Sequence, residues 1–140
     1  MIRFNSEDIA VPVLDQNSVI DWILQVALIY GKKVGEINYN FCSDARILEI
    51  NQQYLQHTYY TDIITFDYSE KDIISGDIYI GAETVESNAI QFGFPYETEI
   101  HRVIIHGILH LCGFKDKTPE TEKTIHEKED EALKILPQKN

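Results

Sequence analysis

The sequence predicts an α+β domain: a small, mostly antiparallel or mixed sheet of about four strands, packed with about five helices around one central helix. Three observations predict it. Strand-like segments come first and helical ones cluster late, without a regular βαβ repeat. Two runs rich in β-branched and aromatic residues, D-I-I-T-F-D-Y and I-S-G-D-I-Y-I-G, flank the turn S-E-K-D, which predicts an antiparallel hairpin. The stretch Val103, Ile104, Ile105, Ile108, Leu109 and Leu111 is apolar nearly all round a helix, which predicts a buried one. At 140 residues, 44% apolar, the chain suits one domain spanning 1–140.

The elements follow in order. Residues 1–5 can form a first strand. Asn17 or Ser18 can cap a helix reaching about Tyr30, with Val19, Ile20, Trp22, Ile23, Val26, Ala27 and Tyr30 on its apolar face and Gly31 at its end. Val34 to Phe41 alternates as a strand does. Ser43 starts a second helix with Ile47, Leu48, Ile50 and Leu55 available to a core. After the hairpin, Ala82 to Phe92 reads as a helix. Pro95 opens another, running to about 112 and stopped by Gly113. Thr118-Pro119-Glu120 has a threonine cap, proline in the first helical position and acid near the positive end of the helix dipole, and so begins the last helix.

Charge narrows the function. With 23 acidic and 12 basic residues the formal net charge is -11, which argues against broad nonspecific binding to nucleic acid or to an anionic membrane. Only three arginines are present, Arg3, Arg46 and Arg102. The start M-I-R-F-N-S-E-D lacks a signal-peptide pattern, and no apolar run approaches the ~20 residues of a membrane span. Cys42 and Cys112 are too few for a disulfide scaffold and read as small buried residues in a reducing compartment.

The informative stretch is H-G-I-L-H-L-C-G-F-K-D, His106 to Asp116. Histidines four apart share a helix face. On a buried helix two neutral imidazoles need partners, and a bound cation would meet that need. Gly113 can take the left-handed conformation that ends a helix, letting Asp116 swing back over the histidine face. Two imidazoles and one carboxylate suit one Zn2+ ion and leave a coordination position open for water, the mark of a catalytic site. The same donors suit iron, nickel and cobalt. Asp116 also has a plainer reading as a loop cap between Lys115 and Lys117. Cys112, two positions past His110, should point off the histidine face. Gly107 stands where the H-E-x-x-H proteases carry a glutamate base, so no catalytic group beyond a metal-bound water is named; the residue types favour a hydrolase and lower the protease reading, while phosphodiester hydrolysis can lean more on the metal itself.

With these residues in hand the chain resembles the YbeY family of bacterial ribosomal-RNA maturation factors, regarded as metal-dependent endoribonucleases. The signature H-G-I-L-H-L-C-G-F carries the likeness. Asn51 to Phe66, N-Q-Q-Y-L-Q-H-T-Y-Y-T-D-I-I-T-F, is similar to the family's asparagine-led helix and following strand, and G-D-I-Y-I resembles its G-D-I strand. The resemblance implies a zinc ion, a cytoplasmic location, and single-strand cleavage of ribosomal RNA in 3′-end processing of the small-subunit RNA and in ribosome quality control. It also implies a metal helix wrapped by a small sheet and other helices. Two departures stand out. Asp116 occupies the place of a third histidine, and its negative charge makes a bound metal less electrophilic. Leu55 occupies the place of an arginine that is a candidate phosphate contact. Arg102, four residues before His106 on the same face, is the compensating candidate substrate contact, against a pairing with Glu97 or Glu99.

Other residues carry two readings each. His57 is solvent-exposed or near the cleft. His101 is core or a support to the site. His126 lies on a solvated helix face. Thr61 and Asp62 line the cleft or cap a strand edge. Three functions compete: the endoribonuclease; a metal-stabilised ribosome-assembly factor with little nuclease activity, brought to the small subunit by ribosomal proteins or an assembly GTPase; and a metalloprotease, which Gly107 disfavours.

Overall fold

The computed structural model describes residues 1–55 and 61–137. The predicted position of His57 therefore lies outside the described residues. The elements run β1 (Ile2–Ser6), α1 (Gln16–Ile29), β2 (Lys33–Cys42), α2 (Asp44–Leu55), β3 (Ile63–Asp67), β4 (Ile73–Gly81), α3 (Ala82–Phe92), α4 (Tyr96–Leu111) and α5 (Pro119–Lys134). Four strands and five helices match the expected inventory.

The strand order is β1-β2-β4-β3. The expected hairpin is present: β3 and β4 pair antiparallel, with Ile63 opposite Ile80 and Thr65 opposite Ile78. The sheet is mixed, but parallel pairing predominates, since β1 with β2 and β2 with β4 both run parallel. The reason is topological. Helix α1 carries the chain back before β2, and α2 with β3 does so before β4, so each central pair is reached by a crossover.

Two helix starts show how local chemistry sets the ends. The side chain of Asp15, rather than of Asn17 or Ser18, caps α1 by accepting from the Ser18 backbone N–H. Thr118 caps α5 in a reciprocal box: its hydroxyl accepts from the Thr121 backbone N–H at 3.1 Å, and its own N–H donates to the Thr121 hydroxyl at 3.0 Å.

The main core lies on one face of the sheet. Ile37, Tyr39 and Phe41 of β2 and Ile74, Ile78 and Ile80 of β4 meet Trp22, Ile23 and Val26 of α1 and Ile104, Ile105, Ile108 and Leu109 of α4. A smaller cluster of Cys42, Ile47, Ile50 and Ile64 forms around α2. Helix α4 is the hub, packed against β3, β4, α1, α3 and α5. Two buried polar bonds pin its surroundings: the Tyr39 hydroxyl donates to the Ile104 carbonyl, and Trp22 Nε1 donates to the Ala132 carbonyl, both at 2.8 Å.

Gly107 is where α4 presses on the sheet. A Cβ there would lie 2.9 Å from Ile78 Cδ1 and 3.3 Å from Ile63 Cδ1, so the glycine permits close helix–sheet approach. A side chain at this position would press on Ile78 and Ile63.

Candidate metal centre

From Glu99 onward helix α4 is buried except along one stripe, Arg102, His106 and His110, each one turn from the next. The stripe lies in a cleft of about 850 Å³. The two imidazole rings are 4.6 Å apart between centroids and nearly perpendicular, at 81°.

Gly113, with φ +108, turns the chain just past the helix end. The backbone N–H of Phe114 reaches back to the Leu109 carbonyl at 3.0 Å, which fixes the turn. Asp116 then returns over the stripe. Its Oδ2 lies 3.4 Å from His106 Nε2 and 3.3 Å from His110 Nε2. The three ligand atoms all fall within 4.8 Å of one another, close enough to hold one metal ion. Two imidazole nitrogens and a carboxylate oxygen fit a zinc-type donor set, so the chemistry of the residues agrees with the geometry.

The structure adds a residue that the sequence reading passed over. Glu129 of α5 is buried, with a side chain only 2% exposed, and its carboxylate meets three partners. His106 Nδ1 lies 2.6 Å from Oε2, while Arg102 Nη1 at 3.0 Å and His126 Nδ1 at 3.1 Å reach Oε1. Burial alone would push the Glu129 carboxyl up. The bonds to His106, Arg102 and His126 overcome that and hold it below the usual range. An ionised carboxylate only accepts, so His106 Nδ1 carries the hydrogen and Nε2 presents its lone pair toward Asp116 and His110. The signal was present in the sequence: Ile125, Glu129 and Ala132 share the buried face of α5, and an acid on a core-facing stripe needs a partner.

The histidines titrate in opposite directions. Burial works against a charged His106, but the hydrogen bond and charge of Glu129, with Asp62 and Asp116, outweigh it and raise its pKa. His110 is lowered, first by burial and then by the charge of His106. Asp62, which lines the cleft, has its carboxyl pushed up by burial, against the pull of His106. Its carbonyl also accepts the Gly81 N–H at 2.9 Å, so it combines both of its predicted roles.

Arg102 sits on the cleft wall, but its guanidinium is already held. Nη1 meets Glu129 at 3.0 Å, Nη2 meets Asp130 at 2.8 Å, and Nε is 3.8 Å from Glu99. These contacts use part of the guanidinium's five donors and offset its charge. Leu55, 41% exposed at the end of α2, lines the same cleft. Lys115 and Lys117, on either side of Asp116, are the cleft's other cations among the described residues. His126 is half-exposed and joins the cleft through Glu129, which is more than a solvated helix face would do. His101 is buried edge-on to Trp22, away from the stripe. Cys112 packs against the core, where burial raises its thiol to about 11, and its sulfur is not among the gathered ligand atoms.

Fold and site together define an α+β protein that gathers two histidines and an aspartate, from one helix and the loop after it, into a single group close enough to hold a metal ion at a cleft. Comparison with known proteins identifies the group it comes from: the chain belongs to the YbeY family, matching the family described as Endoribonuclease YbeY over residues 1–137. Proteins named endoribonuclease YbeY from Phocaeicola vulgatus and Parabacteroides distasonis are each 55% identical to it. The first match covers 97% of this chain and 99% of the relative, the second 98% and 96%. A solution structure of a Thermotoga maritima protein superposes with a TM-score of 0.65 at 30% identity, covering 96% of this chain and 90% of that one.

Proposed function

We propose that this protein is a zinc-dependent, single-strand-specific endoribonuclease of ribosomal RNA maturation. In this reading it acts in the cytoplasm on the 3′ end of the small-subunit RNA and in ribosome quality control. The observation that supports it is the convergence of His106 Nε2, His110 Nε2 and Asp116 Oδ2 in an open cleft, in a chain of the YbeY family. His106, His110 and Asp116 would hold the ion. A bound zinc ion supplies charge stabilisation at the phosphoryl oxygens and acidifies water to near neutrality.

The protein's own groups do the rest. Glu129 orients His106 and fixes its tautomer through the 2.6 Å contact. Arg102 and His126 hold Glu129 ionised. Asp62 retains a proton to higher pH than an exposed aspartate and can exchange one in the cleft. Lys115 and Lys117 offer positive charge to the RNA backbone beside the ligand set. Gly107 offers no base, so acid–base chemistry at the helix is left to the cleft's other walls.

A second reading, a ribosome-assembly factor with little nuclease activity, draws support from the net charge of -11, from Leu55, and from the commitment of Arg102 to Glu129 and Asp130. Ribosomal proteins or an assembly GTPase would then deliver it to the small subunit. One experiment separates the two. Purified zinc-loaded protein is incubated with single-stranded RNA beside His110→Ala. Cleavage by the wild type alone supports the nuclease. Equal residual cleavage by both marks contamination and leaves the assembly reading.

A further inference from the structure

Two large aromatic side chains are left in water on the wall of the same cleft. Phe92 is 60% and Phe94 48% exposed, and both line it. They flank Gly93, which ends α3 with φ +74. The Phe94 N–H bonds back to the Ala89 carbonyl at 2.9 Å, closing a Schellman-type cap, and Pro95 opens α4 at once. The two rings are thus mounted on a short connection fixed at both ends. Asn88 is one turn before Phe92 on the same helix face and also lines the cleft.

Exposed phenylalanines have no hydrogen-bonding tip, so a pair beside a polar site offers its faces to an apolar, planar occupant. The chain's charge narrows the choice. At a formal -11, with Arg102 already paired, phosphate attraction at this cleft rests on few cations. Much of the affinity for a nucleic acid strand is then left to contacts that do not depend on charge. Stacking of bases on aromatic rings is such a contact, and only unpaired bases expose a free π-face.

We propose that Phe92 and Phe94 form a stacking platform for unpaired bases of the RNA strand held in the His106–His110–Asp116 cleft, with the Asn88 amide at a base edge. This rests on the reading of the cleft as an RNA site, and it makes the single-strand preference a property of these side chains rather than of the ligand set.

The test is binding of a fluorescein-labelled single-stranded 2′-O-methyl oligonucleotide to zinc-loaded protein, followed by anisotropy. Phe92→Ala and Phe94→Ala should each weaken binding roughly 5- to 100-fold. Phe92→Leu should lose nearly as much, because it keeps apolar area without a ring, while Phe92→Trp should retain affinity. An abasic residue in the oligonucleotide should make one of the alanine changes silent, as expected for two halves of one contact. Zinc content and melting temperature, read alongside, should not move, since both rings are exposed. Affinity within twofold of wild type for the double alanine variant, retention by Phe92→Leu, or no binding by wild type would each overturn the platform. Ring-dependent binding without RNA cleavage would keep the platform and remove the nuclease. Cleavage with ring-independent binding would do the reverse.

Discussion

Replacing Glu129 by glutamine keeps its shape and removes its charge, which isolates what that buried carboxylate does. The side chain is 2% exposed and meets His106 at 2.6 Å, Arg102 at 3.0 Å and His126 at 3.1 Å, all donors. Glutamine has one acceptor oxygen, and its amide would face a donor at the other position. It can satisfy His106 or Arg102 but not both. The lost charged hydrogen bond should cost about 1.5–3 kcal/mol of stability. The half-exposed His126 adds little. Loss of the carboxylate behind His106 should weaken zinc binding by roughly 10- to 100-fold, or about 1.4–2.7 kcal/mol.

Zinc affinity is read by competition with a chromophoric chelator, and stability by urea unfolding of metal-free protein. The pH dependence of stability gives a second readout. Glu129 titrates below its ordinary 4.5, so its contribution is full above that value and is lost as pH falls through the lower folded one. His106 titrates above its ordinary 6.5, so its contribution is full below that value and is lost as pH rises through the higher folded one. Glu129→Gln should remove both slopes. Zinc affinity within twofold of wild type, with both slopes intact, would refute the claim that Glu129 orients His106.

Four further outcomes follow from the same geometry. Zinc binding competes with protons for the imidazoles, and the raised pKa of His106 makes it the more proton-sensitive ligand of the two, so zinc affinity should fall as pH is lowered; an affinity independent of pH would oppose this. Gly107→Glu would drive a carboxylate into Ile78 and Ile63 and should cost more than ~3 kcal/mol, seen as an unfolded or insoluble protein, whereas melting within a few degrees of wild type would contradict the packing. Asp116→His removes a negative charge from the ligand set, so zinc should be retained and cleavage quicken; slower cleavage at full zinc content would oppose that reasoning. Oligonucleotide affinity should depend only shallowly on salt, with a log–log slope near -1.4 if Lys115 and Lys117 alone meet phosphates, each worth about -0.7 on a single strand.

Much of the site was legible because its logic is local. The His106–His110 spacing, the left-handed Gly113 and the return of Asp116 all lie within a few turns of chain, where helix geometry dictates position. The β3–β4 hairpin and the Thr118 cap were legible for the same reason. What was missed depends on partners far away in sequence. Glu129 is 23 residues from His106, and only the packing of α5 on α4 brings them together. The predicted choice of Glu97 or Glu99 for Arg102 found the minor contact to Glu99 and missed Glu129 and Asp130. Parallel pairing of β1 with β2 and of β2 with β4 is likewise long-range, whereas hairpins announce themselves by a turn. Gly107 was noticed for the base it lacks. The structure adds the reason: the sheet lies against it.

The most direct test of the central claim is the rate of single-stranded RNA cleavage as zinc is titrated into chelator-stripped protein. The wild type should gain activity in proportion to one bound ion. His110→Ala and Asp116→Ala should bind zinc weakly and stay inactive at the same free zinc. Cleavage that persists in stripped protein, or that is equal in all three proteins, would contradict the assignment of His106, His110 and Asp116 as the metal centre of a nuclease.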